Sequence, residues 1–173
     1  MSAASERAIK WTLGHECGGD ADCYSNIAAD RGGPTRWGIS ERFARAKGYT
    51  GPMQALPLDL ALRWYEGSIW ARYRFEEVAQ YSWHCAAYLY DMAVNHGKWT
   101  RVAQEAVSVY ESIKIDGLWG KDTHAAFVKL ASQRPRAFLA ELRVSRCRYI
   151  ASPAVYQPEF IKGWLRRCVA LLT

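Results

Sequence analysis

No run of about eighteen consecutive apolar residues occurs anywhere in the 173-residue chain, which excludes a membrane-spanning helix of ordinary length. Met1 to Lys10 lack the basic segment and apolar stretch of a secretory signal, so synthesis in the cytoplasm without a signal peptide is expected. No Cys-x-x-Cys pair is present, which removes zinc ribbons and thioredoxin-like redox sites. His15-Glu16 starts as a zinc-protease helix would, but Gly19 stands where that motif needs its second histidine. His84, His96 and His124 show no ligand spacing with one another, so neither a metal nor another cofactor is expected. Internal repeats, low-complexity tracts and linkers are also lacking, and the chain reads as one compact body.

What is present narrows the field. A net charge of +6 favours an anionic polymer as partner: nucleic acid, anionic lipid or bacterial wall. Eight Trp and ten Tyr exceed the usual needs of a core this size, and flat aromatic faces stack on sugar rings as well as on bases. The five cysteines leave at least one thiol free. Cys17 and Cys23 flank Gly18-Gly19 and are candidates for a bridge in an oxidising space, while Cys85, Cys147 and Cys168 sit among apolar helical neighbours as small core residues.

Along the chain, Ser5 reads as the cap of a first helix that Gly18-Gly19 stops after Glu16. Glu16 therefore lies at a helix C-terminus, where the dipole disfavours negative charge and suits a proton donor. Residues 18–38 are rich in Gly, Asp, Asn and Pro and read as loops with a small β-hairpin; Tyr24 and Thr35-Arg36-Trp37 are the strand material. Ser40 caps a short helix to Ala46 that Gly48 ends, and Pro57 opens another running towards Tyr73. Ser82 to Asn95 is apolar enough to be a buried central helix. A helix over 100–110 precedes the turn Asp116-Gly117-Leu118-Trp119-Gly120, and three more helical stretches follow.

The stretch that carries chemistry is Glu16-Cys17-Gly18-Gly19, then Asp30-Arg31-Gly32-Gly33-Pro34-Thr35 and Trp37-Gly38-Ile39-Ser40. Cleaving a glycosidic bond needs one carboxylic acid to protonate the leaving oxygen and a second polar group to activate water or stabilise positive charge on the other face. Glu16 and Asp30 are the natural pair, with the Thr35 hydroxyl placed to orient water. Asp30 also reads as a turn-former before Gly32, and Thr35 as a plain strand residue.

A Glu-Gly-Gly helix end followed by Asp-x-Gly-Gly-x-Thr and Gly-Ile-Ser resembles glycoside hydrolase family 108, the phage-type N-acetylmuramidases. The resemblance continues in Asp91-Met92-Ala93-Val94-Asn95-His96-Gly97, similar to the family's Asp-x-x-x-Asn-x-Gly helix end. Asp116 to Thr123 and Phe160 to Arg167 are similar to two segments of its C-terminal peptidoglycan-binding region. This implies a mainly α, lysozyme-like two-lobed fold with a small β-hairpin or loop region near the cleft. It also implies hydrolysis of the β-1,4 bond between N-acetylmuramic acid and N-acetylglucosamine, without metal or organic cofactor. Glu16 matches the catalytic glutamate, and Asp30 and Thr35 match the loop residues that position water.

The domains expected are a catalytic region over 1–90 and a peptidoglycan-binding-like region over 91–173. Trp37, Tyr24 and Asn95 are the substrate-binding candidates, Trp37 by stacking and Asn95 by bonding an N-acetyl group; Trp70 and Trp119 are weaker ones. Arg143, Arg146, Arg148, Lys162, Arg166 and Arg167 read as a solvated basic face that would attract the wall. Two departures from the family pattern stand out. Ile27 follows Asn26 where many relatives have Asp, and Cys17 with Asp20 to Cys23 forms an insertion, so Asp20 and Asp22 are rival second acids. The partners expected are peptidoglycan, a holin or secretion machine that releases a monomer to the periplasm or wall, and an immunity protein. No nucleic-acid recognition motif is present. A lytic transglycosylase and a catalytically silent wall-binding protein are the rival readings.

Overall fold

The computed structural model describes residues 1–17, 23–26, 33–153, 155–158 and 161–170. Helix α1 (Ala3–Glu16) starts at Ser2, whose hydroxyl accepts from the Ser5 N–H at 3.1 Å while the Ser5 hydroxyl accepts from the Ser2 N–H at 3.0 Å. The cap is thus Ser2 and not Ser5. Ser5 is the third helical residue, and the reciprocal pair satisfies two backbone donors at once. At the other end the Cys17 N–H reaches the Leu13 carbonyl at 2.8 Å, and Glu16 is the last helical residue, as the glycines after it predict.

The loop region contains three short strands where a hairpin was expected. β1 (Tyr24–Ser25), β2 (Thr35–Arg36) and β3 (Ile39–Ser40) form an antiparallel sheet in chain order, with Ser25 opposite Thr35 and Thr35 opposite Ser40. Trp37 and Gly38 join β2 to β3 with φ of 54° and 72°, the two left-handed residues that match the twist of a two-residue hairpin. Ser40 then caps α2 (Glu41–Ala46) by accepting from the Phe43 N–H, and Gly48 at φ 83° follows its end. A 3-10 turn at Met53–Ala55 leads to α3 (Leu58–Tyr65) and a π-helical turn over Glu66–Trp70.

Two compact units make up the chain, 1–68 and 69–173. The boundary expected at residues 90 and 91 falls within α5 (Trp83–Asn95), whose run from Cys85 to Met92 is buried without interruption. In the first unit Ile39, Ala44, Met53, Leu56 and Ala61 form the core, with Trp37, Phe43, Trp64 and Tyr65 packed against it.

The second unit sets α4 (Phe75–Ala79), α6 (Trp99–Val107), α7 (Lys121–Gln133), α8 (Pro135–Ala151) and α9 (Ile161–Ala170) with α5. Trp119 sits in an aromatic cluster with its ring 5.6 Å from Trp99, 5.4 Å from Tyr73 and 5.6 Å from Phe127. Trp70 is buried, with its indole N–H donating to Glu76 at 2.9 Å, whereas Trp119 is half-buried. Cys85 and Cys168 are buried free thiols.

The basic face on the last helices needs a correction. Arg146 is 1% exposed, and its guanidinium meets the fully buried Asp91 carboxylate at 2.7 Å; Arg167 meets the other oxygen at 2.6 Å. A buried carboxylate must be paired, and these two arginines are what pairs it.

Candidate active site

The end of α1 and the small sheet bring Glu16 and Thr35 to one cavity. Glu16 is exposed and borders an open cavity of about 250 Å³, shared with Tyr24, Ser25, Thr35 and Gly38. A disulfide joins Cys17 to Cys23 at the same rim, with Cα atoms 5.0 Å apart, and so ties the residue after Glu16 to the residue before β1. It closes a short loop, which limits how far the acid and the sheet can separate. Thr35 reaches the cavity from β2, and its hydroxyl lies 3.4 Å from the Gly33 carbonyl. Tyr24 reaches it from β1, its hydroxyl accepting from the Gln54 amide at 2.9 Å.

Asp30 lies outside the described residues, as do Asp20, Asp22 and Ile27. Trp37 does not border the Glu16 cavity: its indole N–H donates to the Leu56 carbonyl at 2.9 Å, its ring packs on the first unit's core, and the Arg36 guanidinium lies 5.1 Å from its centroid. Asn95 belongs to the second unit, where its amide donates to the Asp91 carbonyl at 2.7 Å beside a small cavity of about 180 Å³ lined also by His96, Arg146 and Trp164.

Tyr65 is the residue that sequence reading missed. Its hydroxyl donates to the Trp37 carbonyl at 3.1 Å, and burial together with the Glu16 negative charge pushes its phenol up to about 12. It is therefore a neutral donor at any working pH, and Glu16 is close enough to influence it. Only the pair Trp64-Tyr65 at the end of an amphipathic helix hinted at it. A second cavity of about 220 Å³ also reaches Gly38 and is walled by Phe43, Trp64 and Tyr65, with the first two rings edge to face at 5.7 Å.

Gly38 is where these features meet. It is left-handed at φ 72°, and a Cβ there would fall 2.5 Å from the Tyr65 hydroxyl. Gly38→Ala is expected to cost about 2 kcal/mol, combining left-handed strain with displacement of the phenol. Adding Tyr65→Phe should recover part of that loss, and urea unfolding of the two variants measures both.

Among the described residues no cluster of three or more His, Cys, Asp or Glu side chains is arranged to hold a metal ion. Residues 9–97 match the family model for glycosyl hydrolase 108, more than half of the chain. The chain belongs to glycosyl hydrolase family 108. Residues 99–169 of this family 108 protein match the model of a predicted peptidoglycan domain. Its fold is similar to that of SagA from Brucella abortus, with a TM-score of 0.64 and 22% identity over 95% of this chain and 91% of that one. No curated protein matches the chain. The family 108 protein is thus a glycoside hydrolase that acts on peptidoglycan, built on a mainly helical, lysozyme-like fold.

Proposed function

We propose that the protein is an N-acetylmuramidase, hydrolysing the β-1,4 bond between N-acetylmuramic acid and N-acetylglucosamine with Glu16 as general acid. The observation that carries this reading is the placement of the Glu16 carboxylate on an open cavity faced by the Thr35 hydroxyl and two further hydroxyl-bearing residues, Tyr24 and Ser25. A polymer substrate needs such an open site, because the chain must pass through it. Glu16 gives its proton to the glycosidic oxygen as the bond to the anomeric carbon breaks. Thr35 orients a water whose oxygen attacks that carbon from the opposite face, and Asp30 takes the water's proton, giving single displacement. The aromatic wall of Trp64 and Phe43 offers the adjoining sugar a stacking surface. Release by a holin or secretion machine would bring the enzyme to the wall.

Mass spectrometry of the products from purified peptidoglycan tests the reaction type. Hydrolysis leaves a reducing N-acetylmuramic acid end that borohydride reduces. Anhydromuramic ends would assign a lytic transglycosylase instead, and wall binding without any digestion would assign a silent binding protein.

A further inference from the structure

A cavity of about 650 Å³ lies in the second unit, lined by none of the catalytic candidates, between the residues before α7 and the first turns of α7 itself. That volume is within the usual range of small-ligand sites. None of its lining residues is aromatic, so it offers a sugar ring no face to stack on. Charges of both signs line it instead: Lys114, Lys121 and Lys129 against Glu111, Asp116 and Asp122, over an apolar floor that includes Ala125 and Ala126.

Four of these six charges are already matched. Lys129 meets Glu111 at 2.8 Å and Lys114 meets Asp116 at 3.5 Å, whereas Lys121 and Asp122 make no hydrogen bond or ion pair among the described residues. Both stand in the first turn of α7, a thirteen-residue helix whose Gly120 cap supplies no side chain to the open backbone N–H groups. An ammonium and a helix start that favour a carboxylate thus adjoin a carboxylate that favours an amine.

The wall opposite is held in place from beneath. Gln104, 1% exposed, accepts from the Gly117 N–H at 2.8 Å, and its amide nitrogen lies 3.1 Å from Asp116, 3.2 Å from the Leu118 carbonyl and 3.1 Å from the Thr123 hydroxyl. Gly117 takes the left-handed φ of 76° that this turn requires. A buried amide therefore fixes the loop before any ligand arrives, which lowers the ordering cost of binding.

We propose that this cavity binds a short peptide with free carboxylates, an amine and small apolar side chains, the chemistry of a peptidoglycan stem peptide. The proposal rests on the peptidoglycan reading above and divides the labour: the first unit takes the sugar and the second takes the peptide. Lys121 and the α7 start receive a carboxylate, Asp122 receives the amine, and Ala125 and Ala126 lie under the alanine methyl groups.

The test uses the full chain carrying Glu16→Gln, titrated by calorimetry with a synthetic L-alanyl-γ-D-glutamyl-diaminopimelyl-D-alanine peptide. Adding Lys121→Glu is expected to weaken binding at least tenfold, as is Ala125→Phe, which fills the cavity; amidating the peptide's carboxylates should do the same. Lys121 and Ala125 are exposed, and a glutamate suits a helix start, so both variants should keep the parent melting temperature. With Glu16 intact, both should also cleave peptide-free glycan strands at the parent rate. No peptide binding, or binding unchanged by both substitutions, overturns the proposal. Failure to cleave the peptide-free glycan would instead overturn the muramidase reading, and the peptide titration is read separately from it.

Discussion

Glu16→Gln is expected to lower the rate of peptidoglycan hydrolysis by about 10³-fold or more, equivalent to ~4 kcal/mol on the barrier. Glutamine keeps the size and hydrogen-bonding reach of the glutamate but has no acidic proton, so the leaving sugar oxygen must depart as an alkoxide. The fold should tolerate the change, because Glu16 is exposed and α1 is held by its Ser2–Ser5 box, its buried Ile9 and Leu13 and the Cys17–Cys23 bridge beyond it. The melting temperature should therefore stay within the error of an ordinary surface substitution. Turbidity clearing of purified peptidoglycan and circular dichroism together give the answer: a stable variant with no clearing supports Glu16 as the acid, and retained clearing removes it from that role.

Asp91→Asn should have the largest effect on stability, a loss of about 3–5 kcal/mol, because it leaves the buried Arg146 without its countercharge and Arg167 without its anchor. The same site makes the wild type sensitive to acid in two steps. Burial and the neighbouring Arg146 charge push His96 down to about 4, and its Nε2 accepts from the Arg146 Nε at 2.9 Å, so the ring is neutral and its proton lies on Nδ1. An unfolded histidine takes up a proton near pH 6.5. Between about pH 6.5 and 4 the unfolded state therefore binds the proton first, and stability present above that window is lost as the pH falls through it.

Burial opposes the Asp91 charge, but the Arg146 and Arg167 charges and hydrogen bonds outweigh it and hold the carboxyl below its ordinary range. Its contribution is complete above the ordinary carboxylate value near pH 4 and disappears as the pH drops through its own lower value. Urea unfolding across pH 3–7 should show both steps. His96→Gln, which retains an acceptor for Arg146 but cannot take up a proton, should flatten the upper one, and Asp91→Asn should remove the lower. An Asp91→Asn chain as stable as the parent at pH 7 would show that this ion pair does not hold the second unit together.

Features governed by near neighbours were legible in the sequence. Glu16 at a helix end, Ser40 opening α2 with Gly48 after it, Ser82 opening a buried α5 and the glycine turn before α7 all follow from capping, left-handed glycines and helical periodicity, which act over a few residues. Even the misplaced cap at Ser5 was an error within one turn, since both serines belong to the same box. For the second carboxylate the sequence favours Asp30 over its rivals Asp20 and Asp22, a choice that spacing along an acidic loop does not fix.

What tertiary structure alone decided is which side chains lose their water and which partners replace it. Arg146 belongs to a basic helix by sequence but lies in the core because Asp91, 55 positions earlier, must be paired there. Trp37 stands in the catalytic loop by sequence but packs on the first unit's core, where the Leu56 carbonyl accepts from its indole N–H. Tyr65 comes to Gly38 only through the return of α3 to the small sheet, and Gln104 shapes the second unit's cavity by reaching a turn thirteen residues away. Burial and charge pairing depend on distance through space, and the chain's local pattern determines the elements that meet but not which of their residues end up in contact.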